Sequence, residues 1–235
     1  GRRCISWRRG GMPPLDITFW RTLIAGTLFC LHARMTGTLH LHSARDLVSL
    51  CLFGVLCLGG MLSLSQGAMR EGGAALASIL LYTAPIWVAA AARLIFKETL
   101  TRVKVLSIAL SLAGAACISF SSGEGTLAVT PLAIALGLGS GLLYAGVYIF
   151  SKRFLECYSP FALYGCSMLA ASAAYFPFAH FDASVLSSVW FPLLLAALVC
   201  TYGSYWAYSA GLKRIEPTKA VILATFEPML AVFAA

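Results

Sequence analysis

Long apolar runs alternate with short polar breaks along the whole chain. A helix needs about 20 apolar residues to cross the hydrocarbon core of a bilayer. Runs of that length cover approximately 13–33, 47–68, 73–96, 103–120, 127–150, 159–178, 188–210 and 218–235. The pattern predicts eight membrane-spanning helices in a multi-pass chain. Breaks such as REGG at 70–73, KETLTR at 97–102 and KRIEPTK at 213–219 leave no room for a soluble domain.

Composition supports the same class. The 235 residues are 60% hydrophobic and 11% charged, with a mean hydropathy of +0.84. A soluble domain is nearer half apolar and a quarter charged, so this chain has too few charges to cover a surface in water. The net charge of +8 does not point to nucleic acid, because apart from Arg21 the cations fall in the breaks.

Orientation follows from alternate breaks. One set holds Arg34, Arg45, Arg93, Lys97, Arg102, Lys104, Lys152, Arg153, Lys213, Arg214 and Lys219, and the other holds only Arg70. Cytoplasmic loops carry the excess of Lys and Arg, which places the first set in the cytoplasm. The opening GRRCISWRRGG carries four arginines on the opposite side. The expectation there is a missing upstream helix or a different local topology.

The eight cysteines are scattered and form no CxxC pair; they read as small hydrophobes. His40 and His42 lack a third ligand and read as solvated loop residues. No metal site and no cofactor are expected.

An internal repeat appears when the chain is slid by 143 residues. Over 54–92 against 197–235, eight of thirty-nine positions are identical without a gap, among them Gly60 with Gly203 and Pro85 with Pro228. Arg70 also meets Lys213 at the same junction between runs. Counted on ten helices, the copies start at the third and the eighth. The unit is then five helices, and an odd number inverts the second copy in the membrane. Inverted repeats mark secondary transporters, with the substrate site near the midplane.

The stretches PPLDITFWRTLIAG, GGAALASILLYTAPIWVAAAARLIFKETLTRVKVLSIALSLAGAACIS and GLKRIEPTKAVILATFEPMLAVFAA resemble the EamA-type transporters of the drug/metabolite transporter superfamily. The resemblance implies an all-α integral membrane protein built as an inverted repeat of five-helix EamA units. The family fold has ten helices, of which about eight are present. The first repeat is expected over 1–125, without its first helix, and the second over 126–235, without its last.

Candidate site residues are the polar groups inside the apolar runs. Glu227 is the one acidic residue deep in a run, next to Pro228. Intramembrane carboxylates are costly and face a bundle interior or cavity. Glu227 reads either as a proton-coupling or amine-binding group or as a structural carboxylate bonded to a neighbouring helix. Pro85 and Pro228 are expected to kink their helices. Arg21 lies deep enough to need a partner, which could be Asp16 or an anionic substrate, unless it snorkels to the interface. Tyr144 and Tyr148, Tyr202 and Trp206, and Ser78 and Tyr82 are i,i+4 pairs that could line a cavity or serve packing. Gln66 is a weaker candidate of the same kind. Gly137, Gly139 and Gly141 form a small-residue strip suited to close helix packing.

These readings lead to a secondary carrier rather than an enzyme. It is expected to export small metabolites such as amino acids by alternating access, with protons as a candidate coupling ion. Sugars, nucleotide sugars and drug-like amines remain alternative cargoes. An intramembrane protease would need a Ser with an intramembrane His, or two intramembrane Asp. The histidines lie at helix ends or in loops, and Asp16, Asp46 and Asp182 lie near span ends. A structural membrane subunit would leave the repeat without a purpose. The expected partners are a small-molecule substrate and the lipid bilayer, with a homodimer allowed and nucleic acid excluded. The expected location is the bacterial inner membrane.

Overall fold

The computed structural model describes residues 14–39, 43–121, 129–179 and 183–225; Cys4, His40, His42, Glu227 and Pro228 lie outside them. The regular structure among the described residues is helical, with no strand. In chain order the helices are α1 (Pro14–Met35), α2 (Ala44–Leu81), α3 (Ala84–Ile95), α4 (Arg102–Ser121), α5 (Pro131–Leu155), α6 (Pro160–Phe178), α7 (183–212) and α8 (Pro217–Ala224). Four of them are long and apolar enough to cross a membrane: α2, α5, α6 and the 189–212 part of α7. Large apolar side chains such as Leu94, Leu110 and Phe191 are exposed, as lipid-facing positions require. The chain is an integral membrane protein.

Local chemistry sets the helix starts. Thr130 and Ser159 accept hydrogen bonds at 3.1 Å from the amides of Ala133 and Ala162. Each is followed by proline, as α5 and α6 begin. A hydroxyl N-cap satisfies an orphan amide, and proline at the first position loses no hydrogen bond. α8 also opens on a proline, Pro217, but its N-cap residue Glu216 makes no side-chain capping bond.

The expected break at 70–73 narrows to one residue. Arg70 to Gly72 remain helical, and Gly73 alone leaves the helix with φ 87 and ψ 162. Glycine reaches that region at no steric cost. The span that follows is then interrupted at Tyr82–Thr83, before Pro85. Pro85 therefore heads α3 instead of bending a continuous helix. At that position its missing N–H is no loss.

The repeat is visible in this local geometry. Gly73 corresponds to Glu216, the extended N-cap of α8, under the 143-residue shift. The segment 74–81 matches Pro217–Ala224, and both end at corresponding residues, Leu81 and Ala224. Two further features coincide. α2 contains a π-helical segment at Gly54–Gly59, and α7 contains one at Ala196–Gly203.

The chain forms two compact units. One comprises residues 1–55 with 159–207, the other 56–158 with 208–235. Compactness thus groups the helices differently from the sequence repeat, and each unit draws on both halves of the chain. In the first unit α1 packs along α6. A Cβ on Gly165 would lie 3.1 Å from the amide nitrogen of Cys30, and one on Gly54 would collide with the carbonyl of Ser167. The Ser167 hydroxyl donates to the Leu50 carbonyl at 3.0 Å. In the second unit the main packing is α2 on α5. The glycine strip of α5 serves it: Gly137 meets the Leu80 side chain, Gly139 lies against Leu64, and Gly141 against the Leu80 carbonyl. On the same unit Lys152 of α5 reaches the end of α7, donating to the carbonyls of Leu212 at 2.6 Å and Ile215 at 3.0 Å.

Candidate functional site

The second unit brings the two helix breaks together. Tyr82, Ala84 and Pro85 from the first break line a small cleft with Val221, Ala224 and Thr225 from the second, and Tyr144 of α5 joins them. The backbone is irregular on both sides. Pro85 offers no amide to the Leu81 carbonyl, and the Thr83 hydroxyl donates to the Leu80 carbonyl at 2.6 Å. Gly141 of α5 makes room for these groups: a Cβ there would lie 2.8 Å from the Thr83 hydroxyl and 2.9 Å from the Leu80 carbonyl. Non-helical backbone at membrane depth is tolerated where protein or a cavity satisfies it.

Tyr144 is held from behind. Its hydroxyl receives a hydrogen bond from Tyr148 at 3.2 Å, and the rings meet edge to face at 5.2 Å. Tyr148 is buried and stacks edge-on against Tyr208 at 5.3 Å. Of the proposed residues, Tyr82 and Tyr144 thus share the cleft, and Tyr148 supports them. The Ser78 carbonyl accepts the Tyr82 amide at 2.9 Å, and Gln66 lies half-buried further back on α2.

Tyr202, Trp206 and Arg21 belong to the first unit. The Tyr202 hydroxyl lies 2.6 Å from Nδ1 of His32, and its ring is 4.5 Å from that of Phe29. His32 in turn stacks on Phe161 at 3.9 Å. Trp206 is exposed. Arg21 does not pair with Asp16. It donates from Nε and Nη2 to the hydroxyl of Thr201, at 3.1 and 3.0 Å. Asp16 lies five residues earlier, on another side of α1. Thr201, a small residue in an apolar run 180 positions away, carries no mark of this contact in the chain's pattern.

A larger cleft, about 470 Å³, lies at the helix ends of the second unit, lined by Thr101, Lys104, Ser107, Glu216, Lys219 and neighbouring apolar groups. Lys104 Nζ is 3.0 Å from Glu216 and 3.4 Å from Glu98, and it also donates to the Thr99 carbonyl at 3.0 Å. Lys219 reaches Glu216 at 3.1 Å. Hydrogen bonds from Lys104 and then Lys219 hold the Glu216 carboxyl below its ordinary value. These charges fall in the cation-rich set of breaks and tie the end of the first repeat to α8.

Comparison with known proteins agrees with this architecture. The model of the EamA-like transporter family matches residues 4–120 and again residues 131–235. An uncharacterized transporter of Archaeoglobus fulgidus is 28% identical over 227 residues, covering 95% of this chain and 77% of its own length. The uncharacterized transporter YdfC of Bacillus subtilis is 30% identical over 149 residues, 63% of this chain and 47% of its own. A solved crystal structure superposes with a TM-score of 0.78 at 17% identity, covering 96% of this chain and 80% of its own; at that identity it speaks for the fold. Two matches of one family model, on an all-helical chain with paired helix breaks, place this protein in the EamA-like transporter family.

Proposed function

We propose that the protein is a secondary carrier that exports small metabolites such as amino acids across a bacterial inner membrane by alternating access. One observation carries the reading: two repeat-related helix breaks line a single cleft with Tyr144. Interrupted helices of this kind offer unpaired backbone groups to a solute, and their breaks are natural hinges. In this proposal Tyr82 and Tyr144 meet the solute once the breaks hinge apart, because the cleft as it stands holds about 10 Å³, less than one water molecule; Ser78, Gln66 and Tyr148 stand behind them. Glu227 follows Thr225 by two residues and is the proton-exchanging group in this proposal.

Protein reconstituted in liposomes should release a preloaded amino acid down an imposed gradient faster than empty liposomes do. Absence of any such flux across a panel of metabolites would remove the carrier reading. Glu227→Gln should abolish the dependence of flux on a proton gradient; unchanged dependence would strip Glu227 of its coupling role.

A further inference from the structure

Among the described residues, Arg21 is a charge without a counter-charge. It lies seven residues after Pro14 on α1, about 10 Å along the helix at 1.5 Å per residue. A guanidinium drawn partly away from water is costly to leave without a partner. The usual remedy is a carboxylate partner, and among the described residues Arg21 has none. Its protein partner there is the Thr201 hydroxyl, which is neutral.

The geometry of that contact is directional. Thr201 is buried and belongs to the π-helical segment of α7. Its own hydroxyl proton is given to the Ala196 carbonyl, five residues back, at 3.3 Å. The oxygen can therefore only accept toward Arg21, and it takes both Nε and Nη2. A guanidinium carries five N–H donors in a rigid plane. Thr201 uses one edge of it and fixes its orientation, leaving Nη1 and the second hydrogen of Nη2 without a partner among the described residues. Those are the donors that grip a carboxylate in a parallel, two-point fashion. Arg21 is half-buried, so the open edge is reachable. Snorkelling to the interface does not describe this side chain, because two hydrogen bonds hold it against a buried residue. π-helical turns often occur at functional sites, and here the turn supplies the residue that aims the arginine.

We infer that Arg21, positioned by Thr201, binds the carboxylate of the transported solute. The inference rests on the carrier reading and narrows its cargo to anionic or zwitterionic metabolites. It assigns Thr201 a positioning role, since Thr201 acts through the arginine.

The test uses matched probes that differ only at the carboxylate, L-leucine with L-leucinamide and L-phenylalanine with L-phenylalaninamide. Binding to purified protein is read by thermal stabilisation and flux by liposome assay. Wild type should favour each acid over its amide by at least about tenfold, the scale of a charged hydrogen-bond pair. Arg21→Gln should lose that preference, through weaker binding of the acid. Thr201→Val should weaken acid binding by a smaller factor, and Thr201→Ser should restore it. Equal response of wild type to acid and amide, or an unchanged preference in Arg21→Gln, would overturn the inference. If Arg21→Gln fails to fold, Thr201→Val decides: an unchanged preference there also overturns it. Binding that discriminates without flux would sink the carrier reading and leave the site standing. Flux without discrimination would do the reverse.

Discussion

Lys152 on α5 donates to the carbonyl oxygen of Leu212 at 2.6 Å, so an ammonium closes the end of α7 from a neighbouring helix. The last carbonyls of a helix lack internal partners, and a cation is favoured there by the helix dipole.

Removing that group should be felt as lost stability. Lys152→Met is expected to lower unfolding free energy by about 1.5–3 kcal/mol, the range for hydrogen bonds to charged groups. Lys152→Arg should lose less. Thermal melts in detergent measure the difference, and equal melting of Lys152→Met and wild type would refute the clamp.

Acid should loosen the charge cluster around Glu216. Its folded-state value is depressed below 4.5 by Lys104 and Lys219. A depressed carboxylate contributes stability that is present above the unfolded value and lost as pH falls through the folded one. Glu216 is 41% exposed, so screening holds the effect to under about 1 kcal/mol. Melts between pH 7 and pH 3 should show a slope below about pH 4.5 that is shallower in Glu216→Gln.

Two glycines should respond in opposite directions. A Cβ on Gly54 would run into the Ser167 carbonyl, whereas one on Gly114 meets nothing within 4 Å. Gly54→Ala is expected to destabilise by about 1–3 kcal/mol through overpacking. Gly114→Ala should stabilise α4 by about 0.5–1 kcal/mol through helix propensity. Paired melts check both, and similar effects from the two would contradict this packing.

Four of the eight expected spans were readable because membrane helices announce themselves by length and apolarity, and Pro85 marked the break before α3. The same proline was misread as a bend in a continuous helix, since its position within the first turn depends on where Tyr82–Thr83 leave the helix. Arg21 stood out as a charge in an apolar run. Its partner did not, because Thr201 is an ordinary small residue whose role comes from a contact between distant helices. The π-helical turns left no readable mark: they change the local winding without changing the apolar character of the residues involved.

Those turns have a historical consequence. A π turn accommodates one residue more than the α-helix it interrupts. In this chain it occurs at Gly54–Gly59 and, one repeat later, at Ala196–Gly203. Independent insertions at matching places in two copies would be a coincidence, whereas a single insertion in a shorter ancestor would be inherited by both. The matching turns are what both copies would carry if the unit already had this winding when it was doubled.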